Sequence, residues 1–481
     1  MAVTLPSKKQ SLWRSRDFVL LWSGQGVSVL GTRVSGLALP LLILATTHSV
    51  AQAGLITSAR MLPYLVLGLP AGALIDRWNR KTTMIVCDAA RFLALGCVPL
   101  AWTFGHLSLV LLYVVALVQG TAFVFFNVAE VASLPNVVAR EDLPQATALD
   151  SAAGSAGSLI GPGLAGLIIS AAKTTAAGAV LAYLIDALTY LISVVSLGFI
   201  RIPFQAAHEE RENHSLSEQV TEGLKFLWAD SRLRALALTS WALSFLYAPV
   251  SLAMIVLARN QLHASPRIIG LIFSLSAIGG LIGAGVAPKM KERFPFGHVL
   301  IGSVAIQALV TPLIGLAVSP AMMIVGWSLA FLLDPIFSMA SVSYRLSVIP
   351  DDIQGRVQSI YRLGSYGMEP LGTALGGLCL ALIGPRVEIL IVAAGVGLCA
   401  LALSLTPLRD TPWPQLEEGH QHKHQHERMV HTHEHIHDEH HQHDHAPGVD
   451  SAEPHTHEHI HEPLTHSHPH HPDLHHRHRH D

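Results

Sequence analysis

Twelve long apolar stretches constrain this chain more than any other feature. A helix needs about 20 apolar residues to cross the hydrocarbon of a bilayer. Runs of that size fall at roughly 18–45, 52–75, 82–104, 107–131, 146–172 and 176–200, and again at 236–258, 267–288, 297–319, 321–344, 355–384 and 386–408. Backbone polar groups cannot be left bare in lipid, so such runs must close their own hydrogen bonds as helices. With 50% hydrophobic and only 14% charged residues, the composition agrees. The expected fold class is all-α integral membrane: twelve transmembrane helices arranged as two six-helix bundles, followed by a disordered C-terminal tail.

The loops set an expected orientation through their Lys and Arg. One side carries Lys8, Lys9, Arg14 and Arg16, then Arg77, Arg80 and Lys81, Arg140, the central Arg201, Arg211, Lys225, Arg232 and Arg234, and Lys289, Lys291 and Arg293. The other side is nearly uncharged: 46–52 and 104–108 have no Lys or Arg, and Lys173 stands almost alone. Both termini are therefore expected in the cytoplasm of a bacterial cell with the body in the inner membrane. No signal-peptide cleavage pattern follows the first basic cluster. A net charge of −3 implies no nucleic-acid partner. Cys87, Cys97, Cys379 and Cys399 all lie in apolar runs without a CxxC pair, so neither disulfides nor a thiolate metal site is expected. No Walker motif or soluble enzyme domain is visible, so the chain is not expected to be an enzyme or to couple directly to ATP.

A polar segment, His208 to Asp230, divides the apolar runs into two sets of six. The expected organisation is an N-terminal bundle over 1–200, a central cytoplasmic loop over 201–235, a C-terminal bundle over 236–408, and a tail over 409–481. The two bundles are faintly repeated. Residues 138–166 align without gaps on 349–377, matching Gly161 with Gly372, Leu164 with Leu375 and Gly166 with Gly377. Internal repeats of this kind are how secondary transporters are built.

The loop after the second apolar run reads Gly72-Ala-Leu-Ile-Asp76-Arg77-Trp-Asn-Arg80-Lys81. Gly72 is suited to a close helix approach, Asp76 to capping the third helix or facing another helix N-terminus, and Arg77, Arg80 and Lys81 to holding the loop at the cytoplasmic surface. This run resembles the signature of the major facilitator superfamily. Further stretches resemble its enterobactin- and macrolide-exporter branch: Arg60-Met-Leu-Pro63, Asp88-Ala-Ala-Arg91, Phe126-Asn127 with Leu134-Pro135, Gly161-Pro162-Gly-Leu-Ala-Gly166, and Gly355-Arg356-Val357. The resemblance implies a monomeric secondary transporter, and Gly161, Pro162 and Gly166 resemble the fifth-helix pattern of proton antiporters.

The tail is of another kind. Of thirty histidines, all but His48, His106, His208, His214, His263 and His298 lie between His420 and His480. They come in alternating groups, such as His420, His422, His424 and His426, then His431, His433, His435 and His437, then His455, His457, His459 and His461. The heptapeptide at 431–437 recurs at 455–461. In an extended chain, residues two apart share a side at roughly 7 Å, and imidazole, with an unperturbed pKa near ~6.5, is the commonest metal ligand. With no cysteine in the tail and one methionine, Met429, the donor set suits Ni²⁺, Co²⁺ or Zn²⁺ better than Cu(I). The transporter resemblance and this tail together are similar to nickel-resistance permeases of the NreB type, which implies export of Ni²⁺, then Co²⁺, against protons, with no resident cofactor. The competing expectation is an exporter of an organic compound whose tail is regulatory.

Charges near the middle of a membrane span are functional candidates by default. Arg33, Asp186, Asp334 and Glu369 lie there. In the superfamily the helices of Arg33, Asp334 and Glu369 line or flank the transport cavity, so these three are the candidates for coupling or cargo contact, unless Arg33 merely pairs with a carboxylate. Asp186 is expected to be structural, Asp88 and Arg91 to be an i,i+3 ion pair, and Glu130 to meet the basic loop. With no histidine in a helix centre, cargo transit would rely on carboxylates, water, and groups such as Asn127, Thr239, Ser240 and Ser244.

Overall fold

A computed structural model describes residues 12–205 and 216–413, and within the tail 420–425, 429–435, 455–461 and 465–470. The first bundle consists of α1 (Arg16–Thr47), α2 (Val50–Arg77), α3 (Arg80–Thr103), α4 (Leu109–Val137), α5 (Leu143–Ala171) and α6 (Thr175–Phe199). Helix α7 (Leu216–Ala229) lies in the central segment. The second bundle consists of α8 (Ser231–Tyr247), α9 (Val250–Asn260), α10 (Pro266–Arg293), α11 (Phe296–Gly315), α12 (Pro320–Val348), α13 (Asp351–Ile383) and α14 (Pro385–Ser404). Among the described residues twelve spans are long and apolar enough to cross a membrane, with α8 and α9 counted together as one. Each lies within a few residues of the apolar run that predicted it.

Local chemistry sets the boundaries. Ser49, Ser108, Thr174 and Ser319 each accept a hydrogen bond from an N–H in the first turn of the helix they precede, satisfying a donor that the helix cannot. Two departures from the sequence expectation have identifiable causes. The central segment is helical over α7, anchored by the Glu222 carboxylate pairing with Arg356 of α13. The seventh span begins at Ser231, where Asp230 caps it, and breaks at Ala248–Pro249. Pro249 lacks the N–H needed to continue the helix, and its ring clashes with the preceding turn.

The internal repeat has a structural meaning. Gly161 sits against Arg33 of α1, while its counterpart Gly372 sits against Phe245 of α8. Gly166 meets Pro266 and Gly270 at the start of α10, while its counterpart Gly377 meets Gly54 of α2. One glycine of each pair thus brings the fifth helix of its bundle onto the first, and the other brings it onto the opposite bundle.

The bundles touch along α2–α13 and α5–α10. The Ser58 hydroxyl donates to the Pro370 carbonyl at 2.6 Å, and the Gly163 N–H donates to Ser274 Oγ at 2.7 Å. These contacts lie toward the loops at 48–49 and 172–174, at the end of the body opposite the signature loop. At the other end Asp76 is open, its side chain 65% exposed.

The tail residues form a separate unit. Strands β1 (His420–Gln425) and β4 (Thr465–His470) pair antiparallel, as do β2 (Met429–His435) and β3 (His455–His461). Alternation of residues with period two suits strands, helped by Val430, Thr432, Thr456 and Ile460. Two-stranded ribbons build no core and are marginal alone, which agrees with a segment too polar to fold by burial. His426 and His437 lie outside the described residues, as do the basic positions Lys8, Lys9 and Arg211.

Candidate functional site: the polar interior of the membrane body

Three polar groups lie within the body. The first is sealed inside the N-terminal bundle. Arg91 Nη1 lies 3.1 Å from Asp88 Oδ1, the i,i+3 pair expected from sequence. Ser193 of α6 donates to Asp88 Oδ2 at 2.6 Å, and Gln25 of α1 donates to Ser193 at 3.2 Å. The Arg91 guanidinium also faces the rings of Phe126 and Tyr190 at 5.0 and 5.1 Å. With Asp88 fully buried and Arg91 4% exposed, this network ties α1, α3, α4 and α6 together. Asp186 is likewise fully buried, packed where α6 meets Gly31 of α1 and held by Thr189 at 3.2 Å.

The second group straddles the α2–α13 junction between the bundles. Glu369 is half-buried, and Arg60 is its electrostatic neighbour. Arg60 also acts on Arg33, whose stem rests on the glycine face of α5 at Gly157 and Gly161. Tyr64 and Tyr366 meet beside this cluster, one from each bundle, with ring centroids 4.8 Å apart and planes tilted by 50°. Among the described residues Arg33 makes no ion pair with Asp334 or Glu369, so a simple pair that locks the helices is not what these residues form. In sequence Arg60 stands out only as part of a family-like stretch; in the structure it is the eleventh residue of α2, well inside the span.

The third group surrounds the break between α8 and α9. Tyr247 ends α8, shares a hydrogen bond with Thr311 at 2.8 Å, and leans on Trp327 of α12 at 6.2 Å. Asp334 is exposed and acts electrostatically on Tyr247. Pro335 follows Asp334, as Pro370 follows Glu369. Each proline frees a carbonyl one turn back, and broken or loosened helices next to ionisable groups are where transporters place ion and substrate sites. The structure thus joins Arg33 and Glu369 around Arg60. Among the described residues it does not join Asp334 to either.

Several expected roles need correction. Gly72 has no atom within 4 Å of where a side chain would begin, so it makes no close helix approach in this conformation. Asn79, not Asp76, caps α3 by accepting from Thr82, because it stands immediately before the first turn. Asp76 keeps only Arg80, at 3.7 Å. Arg80 instead donates to the Ala132 carbonyl at 2.7 Å, and Lys81 to the Ile200 carbonyl at 2.6 Å, so these two residues fasten the loop to the ends of α4 and α6. Glu130 has Asp150, Asp88 and Arg91 as its charged neighbours rather than the loop. Thr239 and Ser240 are buried, and Ser240 bonds Tyr361, which removes them from any open path. Gly161 and Gly166 do pack as close approaches, and Pro162 presents its carbonyl to Gly270. Among the described side chains of the membrane body no group of three His, Cys, Asp or Glu could hold a metal ion.

This geometry has known counterparts. The family of transmembrane secretion effectors, within the major facilitator superfamily, matches residues 10–438. The chain belongs to that family. It is a multi-pass membrane transporter of the efflux kind. The multidrug efflux pump Tap of Mycolicibacterium fortuitum is 26% identical over 390 residues, covering 79% of this chain and 90% of Tap. Macrolide efflux protein A of Streptococcus pyogenes is 24% identical, covering 57% of this chain and 67% of the relative. Among solved structures, a bacterial homologue of the iron transporter ferroportin in an inward-facing state superposes with a TM-score of 0.67 at 15% identity, covering 82% of this chain and 98% of that one. At that identity the likeness is one of fold.

Proposed function

We propose that this family member is a monomeric proton-driven exporter whose membrane body moves the cargo and whose tail captures divalent metal on the same side as the termini. The charge bias of the loops supports a bacterial inner membrane with both termini cytoplasmic. In that orientation the contacts at the far end describe an inward-facing body, open to the compartment it empties. Glu369 and Asp334 are the proton-carrying candidates, because each is an intramembrane carboxylate without an ion pair among the described residues, and each precedes a helix-loosening proline. Arg60 would compete with the proton for Glu369.

For the cargo, the observation that counts most is the kinship with pumps named for drugs and macrolides. The aromatic groups Tyr64–Tyr366 and Tyr247–Trp327–Phe331 suit an organic molecule, and no metal-ligand group stands among the described side chains of the body. A second reading, export of Ni²⁺ or Co²⁺ as in nickel-resistance permeases of the NreB type, is favoured by the histidine tail alone.

One experiment separates them. Cells carrying the gene, lacking it, or carrying a chain cut before Gly419 are grown on graded nickel, cobalt, zinc, macrolides and dyes. Tolerance of organic compounds that survives tail removal supports the first reading. Tolerance confined to metals, with proton-gradient-dependent ⁶³Ni²⁺ flux in vesicles, replaces it with the second.

A further inference from the structure

We propose that the tail binds divalent transition-metal cations on ladders of facing histidines, and that the cation closes the ribbons. This rests on the reading above that the tail is a metal-binding segment, and it specifies which positions act together.

The observation is one of register. In the inner ribbon His431 faces His459, His433 faces His457 and His435 faces His455. In the outer ribbon His420 faces His470, His422 faces His468 and His424 faces His466. The positions between them carry other residues on both strands: Val430 faces Ile460, Thr432 faces Glu458, Glu434 faces Thr456, and Lys423 faces Ser467. Successive residues of a strand occupy opposite faces, so the outer ribbon gathers six histidine positions on one face, the inner ribbon seven with His461 opposite Met429, and neither has any on the other face.

Both ribbons also share one register. Three residues separate β1 from β2, at 426–428, and three separate β3 from β4, at 462–464. The histidines shift from even to odd positions across the first gap and from odd to even across the second. Both strands change parity together, so histidine stays opposite histidine in both ribbons except where Met429 faces His461. Alternation alone does not ensure this; the spacing on the two sides has to match.

Facing positions in an antiparallel pair lie about 4.5–5.5 Å apart at Cβ, and positions two along lie about 7 Å away. Two neighbouring facing pairs therefore place four histidine positions within reach of one cation, enough for a four-coordinate nitrogen set for Ni²⁺, Co²⁺, Zn²⁺ or Cu²⁺. Met429 faces His461 at the end of the inner ladder, so thioether donors enter neither ladder elsewhere, and Cu(I) is disfavoured. A lone two-stranded ribbon is marginal. The free energy of binding to ligands from both strands becomes free energy of closing them.

The test keeps every histidine and alters only which positions face each other. Purified full-length protein in nanodiscs is titrated with Ni²⁺ alone and with Zn²⁺ alone. Three forms are compared: the unaltered chain, a chain in which His455 exchanges places with Thr456 and His457 with Glu458, and a chain that also exchanges His433 with Thr432 and His435 with Glu434. The first set of exchanges leaves one facing histidine pair in the inner ribbon, and the second set brings back two neighbouring pairs. Expected is that the inner ribbon's share of the tight sites weakens at least about tenfold after the first set, because simultaneous engagement is lost, and recovers after the second. Spin labels at positions 430 and 460 should show a short-distance population that grows with metal only in the forms with matched register. Equal binding by all three forms overturns the ladder and leaves a flexible metal-binding tail. Absence of binding by the unaltered chain overturns the metal-binding reading itself.

Discussion

Replacing Gly54 with alanine should weaken the closed end of the transporter by a calculable amount. The added methyl would lie 2.7 Å from Gly377 Cα and 3.0 Å from the Thr373 carbonyl oxygen, both on α13. Carbon atoms rest comfortably at about 3.5–4.0 Å, so α2 and α13 must part by roughly 1 Å where they cross. Overpacking of that size costs about 1–3 kcal/mol. The strain exists only while the bundles touch at this end, so it shifts the balance toward the opposite conformation by about 5- to 150-fold. Spin labels on Thr82 and Lys289, both exposed and in different bundles at the signature-loop end, read that shift as a gain of short distances. Gly72→Ala is the control, because no atom lies within 4 Å of the new methyl and the distribution should not move. A folded Gly54→Ala protein with the wild-type distance distribution would refute the glycine contact as the closure point.

Three further outcomes follow from the site. Glu369→Gln and Asp334→Asn should each cut proton-gradient-driven efflux from vesicles at least about tenfold while sparing cargo binding, since general acid–base groups of this kind are worth that much or more; undiminished driven efflux would remove them from coupling. Asp88→Ala leaves Arg91 buried without its partner and should cost about 3–5 kcal/mol, seen as a large fall in thermal stability; an unchanged melting temperature would show the network to be redundant. Metal binding by the tail needs neutral imidazole, so it should be present at pH 7.5 and lost as pH falls below about 6.5, where histidine protonates. Bound nickel that is equal at pH 7.5 and pH 5 would point to carboxylate ligands.

The sequence alone reveals which segments cross the membrane, because the length of an apolar run is a local property that bilayer thickness converts directly into a helix. It reveals the Asp88–Arg91 pair for the same reason: three residues is one helical turn. It reveals the tail's chemistry through composition. What it leaves open depends on distance along the chain. Arg60 meets Glu369 only because α2 crosses α13, more than 300 residues later. Gly72 looks like a packing glycine, yet stands free while the bundles touch at the other end. Pro249 breaks the seventh span through its own chemistry, but that the break lies beside Asp334 of α12 depends on how α8 and α12 pack. The histidines display their alternation in the sequence; that each faces another depends on strand register, which pairing between distant segments decides. Local periodicity writes the elements, and non-local contact assembles the sites.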